Sequence, residues 1–304
     1  MKEAIIVLSF LLIVSAGQSQ DTIPVKKQNP VSGKIVIYKN DTLWFDKPAL
    51  LRNIGNIPSD IWQIAKSPFH KKNWIGLSAV AVSTAILIVK DQAIINWVHK
   101  TSERIGLEPE TEYSIIMKAG DTKILKIPKN FNTALYQIGE GGTSMCVAGG
   151  LWIYGKLKKD WRSVNTANDL VETFITMGVT TQILKRVTGR ESPFMATRTG
   201  GRWMPFPAFK EYQRNTSSYD AFPSGHLATM MATVTVLSSN YPEKKWIKPV
   251  GYSLMGLSAW AMMNTEVHWA GDYPLAIAIG YLSGKITTWR HKQKNRKLSK
   301  AVIL

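Results

Sequence analysis

The sequence predicts an all-α fold: a helical bundle of about six helices that follows a short polar N-terminal arm. Two observations carry this prediction. Six segments have the length and apolar content of buried helices, and small residues recur within them, which allows the helices to approach closely. The six segments are 74–98, 133–155, 166–187, 225–240, 248–264 and 272–289.

The part of the chain before the bundle divides into two. Residues 1–17 have the pattern of an export signal, because Lys2 is followed by an apolar run and then by small residues suited to cleavage. Residues 18–65 form the polar, turn-rich arm, in which short alternating pieces at 34–38 and 42–45 predict an extended chain or a small hairpin.

A single cysteine, Cys146, lies within an apolar segment. It cannot form an internal disulfide, so the sequence predicts a core residue. Export without cysteine pairs is typical of a bacterial cell-envelope protein rather than of a secreted domain held by disulfides. We therefore expect this chain in the bacterial envelope, at or in the inner membrane.

Residues 66–290 form the predicted helical domain, and residues 291–304 form a basic tail. The lengths of the helices leave open whether they cross a membrane. The best candidate is uncharged from residue 75 to 89, which is shorter than the roughly 20 residues that a membrane span needs. The alternative is a soluble or surface-bound bundle.

The charge balance points to an anionic partner. Thirty-eight Lys and Arg residues against 21 Asp and Glu give a net charge of +17, which favours a phospholipid surface or a phosphorylated substrate. Nucleic acid is disfavoured, because the basic residues form short clusters between apolar stretches rather than one face interleaved with aromatic residues. The four basic clusters lie at 66–72, 156–162, 244–248 and 290–300.

If the helices alternate in direction, the basic clusters lie at one end of the bundle and the turns at 185–226 and 265–272 lie at the other. The positive-inside rule then places the basic end in the cytoplasm and the other end in the periplasm. A cleaved signal leaves residue 18 outside the cytoplasm. If all six segments crossed the membrane, the basic cluster at 156–162 would also lie outside, against the positive-inside rule. Two arrangements satisfy it: segment 74–98 lies in the membrane interface and only the later five segments span, or no helix spans and the basic end binds anionic lipid.

The most informative residues are the run Pro223–His226 (PSGH), followed 42 residues later by His268 and four residues further on by Asp272. Ser224 and Gly225, at the start of a helix, offer a hydroxyl and backbone N–H groups to an anion. His268 can act as a nucleophile on phosphorus, and Asp272 can hold its ring and stabilise the charge that it gains.

A third cluster, KRVTGRESP at residues 185–193, precedes these two. In order and spacing the three clusters resemble the type 2 phosphatidic acid phosphatase and vanadium haloperoxidase superfamily, over roughly residues 74–289. The resemblance implies that His226 protonates the leaving alkoxide, that His268 forms a phosphohistidine and that Asp272 orients His268. The phosphate-binding residues that it implies are Lys185, Ser224 and Gly225. It implies no metal and no other cofactor.

Both arginines of the family pattern are replaced in this chain: Ser192 stands where one is expected and Met262 where the other is. Arginine binds phosphate bidentately, and one such donor commonly contributes about 10²- to 10³-fold in rate. Arg190, within the first cluster, is expected to bind phosphate, and Arg198 and Arg202, in the loop that follows, are the expected compensating cations.

Each motif residue also has a local explanation. Ser224 and Asp272 stand at expected helix starts, where capping alone would account for them. His268 beside Trp269 fits a packed histidine, and with Asp272 it would need a third ligand to bind zinc. Lys185 fits a helix C-terminus that it stabilises through the dipole. The joint occurrence of the three clusters favours function over these explanations.

These residues predict an envelope phosphatase that hydrolyses a lipid-linked phosphomonoester or pyrophosphate. Its expected partners are an anionic phospholipid or phosphorylated lipid substrate and the membrane. The replaced arginines leave a second hypothesis open, a catalytically weak or inactive relative that binds phospholipid or an envelope partner. Haloperoxidase activity with vanadate at the same site is a third, less favoured because that chemistry also uses the missing arginines.

Overall fold

The computed structural model describes residues 33–38, 41–48, 54–120 and 122–303. Within these residues the fold is all-α in character, as predicted, with two added β-hairpins. The helices are α1 (Ile57–Lys66), α2 (Trp74–Arg104), α3 (Phe131–Gly139), α4 (Gly141–Leu157), α5 (Trp161–Thr188), α6 (Phe209–Arg214), α7 (Gly225–Asn240), α8 (Ile247–Asn264) and α9 (Tyr273–Ile303). The strands are β1 (Gly33–Tyr38), β2 (Asp41–Asp46), β3 (Tyr113–Ala119) and β4 (Thr122–Pro128). The expected export signal, residues 1–17, lies outside the described residues.

The hairpin expected in the arm is confirmed. β1 and β2 pair antiparallel, with Gly33 opposite Asp46, and β2 packs against α5 and α9. The side chains of Leu43 and Phe45 are buried, and Asn165 of α5 donates from Nδ2 to the backbone oxygen of Asp46 at 2.7 Å. The alternating pattern of this segment therefore reflects one face that is buried on the bundle.

Three local predictions are wrong. Segment 133–155 is not one helix, because the chain is extended at Glu140 (ψ 142°) and separates α3 from α4. Glycines flank this break, and glycine lowers helix stability by about 1 kcal/mol relative to alanine. The arm is not wholly extended, since α1 forms within it with a proline in its first turn. Cys146 is exposed rather than in the core.

α7 lies among α5, α8 and α9 and makes its most extensive contact with α9. The close approach of α7 and α9 depends on Gly280, since a Cβ there would lie 2.2 Å from the carbonyl oxygen of Ala228. Leu227 and Ala228 are buried against Ala276 and Ile279 of α9. This packing fixes the first turn of α7 next to the first turn of α9.

The helices bring two sets of loops to opposite ends of the bundle. The end formed by the loops before α7 and α9 is called the motif end here, and the end formed by the loops before α5 and α8 is called the basic end. At the basic end the guanidinium of Arg162 donates to the backbone oxygen of Asn240 at 2.8 and 2.6 Å. Arg290 of α9 pairs there with Asp60 of α1. The arm and the basic clusters therefore share one end of the molecule.

α2 runs along the outside of the bundle from the basic end to the motif end. Among the described residues, the helix spanning 71–104 is the one that is long and apolar enough to cross a membrane. Its exposed apolar side chains include Ile75, Val82, Ile86 and Val89. Asp91, which ends this apolar stretch, is fully buried and lies about 25 Å along the helix axis from its start.

Candidate active site

Two histidines that are far apart in the sequence lie side by side at the motif end. Nδ1 of His226 is 3.1 Å from Nε2 of His268, and the two ring planes meet at 73°. His226 belongs to the first turn of α7, and His268 lies in the loop between α8 and α9. His268 is buried, whereas His226 is partly exposed. The structure thus brings together the two imidazoles that the PSGH and HxxxD clusters single out.

Asp272 lies behind His268 in a short 3₁₀ turn that leads into α9. Its Oδ2 accepts a hydrogen bond from the N–H of Trp269 at 2.8 Å and lies 3.5 Å from Nδ1 of His268. Its backbone oxygen accepts a hydrogen bond from the N–H of Ser224 at 3.1 Å. Because the carboxylate faces Nδ1, Nε2 is the ring nitrogen that points toward His226 and is available as a nucleophile.

A cation stands beside the N-terminus of α7. Ser224 caps this helix, with its Oγ accepting a hydrogen bond from the N–H of Leu227 at 3.4 Å, so the capping role is present. A side chain at Gly225 would approach Nζ of Lys185 to 3.9 Å. That ammonium donates to a carboxylate oxygen and to the backbone oxygen of Asp220, both at 2.7 Å. A lysine and a helix N-terminus together form a suitable binding place for an anion.

Arg190 is held inside the protein. Gly189 ends α5 in the left-handed conformation (φ 57°), and the chain then turns inward. Nη1 of Arg190 donates to Oδ1 of Asp272 at 2.7 Å, and Nη2 donates to Oδ2 of Asp91 at 2.5 Å. Nη2 also donates to the backbone oxygen of Gly200 at 2.9 Å. The two terminal nitrogens of this expected phosphate ligand are therefore engaged by carboxylates, and the side chain is fully buried.

Glu191 organises the loop that follows Arg190. Its buried carboxylate accepts hydrogen bonds from the N–H groups of Thr197 and Arg202 at 3.2 and 2.8 Å. Its backbone oxygen accepts one from the indole N–H of Trp269 at 2.8 Å. The side chains of Arg198 and Arg202 are exposed, so the structure places the two expected compensating cations at the surface of this loop.

Both positions at which the family pattern has arginine are buried. Met262 is fully buried with Leu227 and Tyr273 in the core cluster of the bundle, and its backbone oxygen accepts a hydrogen bond from the N–H of His268 at 3.4 Å. Ser192 is buried and donates from its N–H to the backbone oxygen of Ser217 at 2.9 Å. Met262 therefore supports His268, whereas Ser192 is part of the loop that follows Arg190.

The electrostatics of the site affect the pKa of His226, the expected general acid. Burial lowers the pKa of His226 well below 6.5, and electrostatic interactions with His268, Lys185 and Lys126 lower it further. Without a bound anion His226 is therefore neutral at neutral pH. A phosphate dianion would favour the protonated form, so that an imidazole charged by the arrival of its substrate can donate a proton to the leaving oxygen.

A metal site at His268 and Asp272 would need further ligands. Among the described residues, no group of three or more His, Cys, Asp or Glu side chains is arranged to hold a metal ion. The zinc alternative for these two residues thus finds no third ligand within the described part of the chain.

Three residues with contacts at this site were not anticipated from the motifs: Asp91, Asp220 and Tyr136, whose ring centroid is 5.5 Å from that of His226. For Asp91 a signal was present, because a carboxylate inside an apolar helix needs a partner. Asp220 lies in a segment without a recognisable pattern. Tyr136 lies in the predicted helical segment 133–155, but an apolar pattern does not indicate which residue contacts His226.

Comparison with known proteins finds similarity over part of this chain. A lipid A 1-phosphatase of Porphyromonas gingivalis is 26% identical to this chain over 83 residues, which is 27% of this chain and 19% of that relative. No solved structure matches this chain. Residues 166–296, which include all three motif clusters, match the sequence model of the PAP2 superfamily. The segment that carries the paired histidines is therefore the part of this chain that is similar to the PAP2 superfamily.

Proposed function

We propose that this protein is a phosphatase that hydrolyses a lipid-linked phosphomonoester or pyrophosphate through a phosphohistidine intermediate. The observation that carries the proposal is the pairing of Nδ1 of His226 with Nε2 of His268 at 3.1 Å, with Asp272 behind the second ring. The match to the PAP2 superfamily supports the reaction class.

In the proposed reaction, Nε2 of His268 attacks phosphorus and the bond from phosphorus to the leaving oxygen breaks. His226 gives its proton to that oxygen. Water then attacks phosphorus, His226 takes up a proton from it, and the P–N bond breaks to release inorganic phosphate. Asp272 stabilises the charge on His268, and phosphate oxygens lie at Lys185 and the N-terminus of α7. The two rings are within hydrogen-bond distance of each other, so they separate when a phosphoryl group enters between them.

A lipid substrate is supported by three features. The relative from P. gingivalis is named as a lipid A 1-phosphatase, the net charge of +17 favours an anionic surface, and α2 carries an exposed apolar face. The candidate substrates are phosphatidic acid, a polyprenyl pyrophosphate and phosphorylated lipid A.

We place the protein in the bacterial cell envelope, with its active site on the periplasmic side. The arm packs against the basic end, so a cleaved export signal would leave both outside the cytoplasm. A bundle that lies on its side at the membrane fits this best, with the apolar face of α2 in the interface and the basic end on anionic headgroups. The motif end then lies at the same membrane surface as its lipid substrate.

The proposal is tested by phosphate release from the three candidate lipids. We expect wild-type protein to release phosphate from at least one, and His268→Ala to lower the rate by at least about 10³-fold, because it removes the nucleophile. His70→Ala, at an exposed histidine, is the matched control and should retain wild-type activity. A folded wild-type protein that releases no phosphate from any of these lipids would overturn the proposal.

A second candidate function is lipid binding with little or no hydrolysis. It is favoured by the burial of Ser192 and Met262 and by the engagement of Arg190 with two carboxylates, which leave the site without a free arginine at those positions. Binding to phosphatidic acid vesicles, together with phosphate release no faster than that of His268→Ala, would select this function over the first.

A further inference from the structure

α3 lies beside the histidine pair, and β4 of the hairpin β3–β4 packs against α3. Tyr136 of α3 contacts the ring of His226, with centroids 5.5 Å apart. The next residue, Gln137, donates from Nε2 to the backbone oxygen of Lys126 at 3.2 Å, which fixes β4 against α3. Lys126 is thereby held next to a helix turn that touches the catalytic ring.

The side chain of Lys126 makes an ion pair and a cation–π contact. Its ammonium is 2.7 Å from Oε1 of Glu140 and lies 4.0 Å from the ring centroid of Tyr113. The hydroxyl of Tyr113 donates to the same carboxylate oxygen at 3.3 Å. The side chain of Lys126 is 30% exposed, so water and ligands reach this ion pair. An ion pair that solvent reaches contributes little net stability, so a phosphate dianion can compete with Glu140 for the ammonium of Lys126.

The other cations near the histidines have fixed partners. Lys185 is buried and bound to Asp220 through both side chain and backbone, and Arg190 is fully buried between two carboxylates. Lys126 has one carboxylate partner among the described residues and remains accessible. Its charge is also close enough to contribute to the lowered pKa of His226. It is therefore the cation best placed to supply what the missing arginines do not.

We propose that Lys126 is a phosphate-binding residue, which moves from Glu140 to an oxygen of the anion held at His226 and His268. The ligand class is a phosphate oxyanion, either the headgroup of a lipid monoester or free inorganic phosphate. The proposal rests on the proposed function for the identity of the substrate, but its chemistry is anion binding and is testable without turnover. Glu140 balances the charge of Lys126 in the empty site.

The first test measures binding of inorganic phosphate to the purified full-length protein by isothermal titration calorimetry. We expect Lys126→Gln to weaken binding roughly tenfold, since it removes a charge-assisted hydrogen bond to phosphate. Lys129→Gln removes the same charge from an exposed position three residues along the chain and should bind as wild type does. Glu140→Gln releases Lys126 and should tighten binding, by roughly threefold.

The second test measures KM for short-chain phosphatidic acid in the same variants. A rise in KM together with weaker phosphate binding assigns Lys126 to the shared oxyanion, whereas a rise in KM alone assigns it to the lipid headgroup. Both results support the proposal. Lys126→Arg should keep most of the affinity in either assay, because it preserves the charge.

Equal phosphate affinity and equal KM in folded Lys126→Gln and Lys129→Gln would overturn the inference. If Lys126→Gln does not fold, Glu140→Gln decides, and unchanged affinity in that variant overturns the inference. Lys126-dependent phosphate binding without hydrolysis of any lipid would refute the proposed function alone. Hydrolysis that is insensitive to Lys126 would refute this inference alone.

Discussion

The contacts of Arg190 differ from those that its position in the motif predicts. Its position in the first cluster favours a phosphate ligand, yet its guanidinium joins Asp91 to Asp272 inside the protein. A buried charge without a partner costs several kcal/mol, so the three residues depend on one another. The carboxylate that faces His268 is therefore oriented by an arginine as well as by the backbone of its own turn.

Asp91→Asn tests this dependence. We expect the free energy of unfolding to fall by about 3 kcal/mol, because Arg190 would keep one carboxylate for its two terminal nitrogens. Denaturant unfolding of the purified protein measures the change. Glu103→Gln removes an exposed carboxylate from the same helix and should stay within about 0.5 kcal/mol of wild type. Equal stability of the two variants would show that the ion-pair chain does not hold α2 to the site.

At the scale of elements, the site is assembled where helices begin and end. The last turn of α5 supplies Lys185, the first turn of α7 supplies His226, and the segment between α8 and α9 supplies His268. The separation of these ends is set by helix packing, above all by the contact between α7 and α9. A small change in that contact would move the two histidines relative to each other.

Gly280→Ala tests the contact between α7 and α9. Its Cβ would lie 2.2 Å from the carbonyl oxygen of Ala228, so we expect the two helices to move apart and stability to fall by about 2–3 kcal/mol. Thermal unfolding measures the loss, and phosphate release should fall with it. Gly256→Ala in α8 meets no atom within 4 Å and should be neutral or stabilising by up to about 1 kcal/mol. A Gly280→Ala protein as stable as Gly256→Ala would contradict the close approach.

At the scale of the whole molecule, the position of the arm bears on the arrangements that the sequence leaves open. It packs on the basic end through β2 and α1, so a cleaved signal would place the basic end outside as well. A spanning bundle would then put the motif end in the cytoplasm, against the positive-inside rule. A bundle at the membrane surface satisfies both the signal and the charge distribution.

Protease accessibility in spheroplasts tests this orientation. One epitope tag follows the C-terminal tail and a second is inserted in the loop at residues 198–200 of the motif end. We expect protease to remove both tags from intact spheroplasts, because the proposed orientation puts both ends of the molecule on the periplasmic side. A cytoplasmic protein with the same tag is the control for membrane integrity. Protection of the C-terminal tag until the membrane is permeabilised would instead place the basic end inside.

Much of this structure follows from local signals in the sequence. Five of the six expected segments correspond to single helices, because long apolar runs bounded by turn residues specify buried helices. The pairing of His226 with His268 was accessible through the motifs alone. The pairing of Arg190 with Asp91 could not be predicted in this way, because the two residues are 99 positions apart and only tertiary packing brings them together. The break at Glu140 and the hairpin β3–β4 likewise depend on packing that no local pattern records.

The bond between Arg190 and Asp91 also limits how this chain can be divided. The segment that matches the PAP2 superfamily begins at residue 166, so it excludes Asp91. The carboxylate of Asp91 pairs with Arg190 and accepts a hydrogen bond from the N–H of Gly271 at 2.8 Å. A fragment that starts at residue 166 would lack Asp91. The guanidinium of Arg190 would then keep one carboxylate partner, Asp272, and the backbone N–H of Gly271 would lose its acceptor. A unit that keeps this ion pair therefore includes α2, and a boundary drawn by sequence similarity at residue 166 separates Asp91 from Arg190.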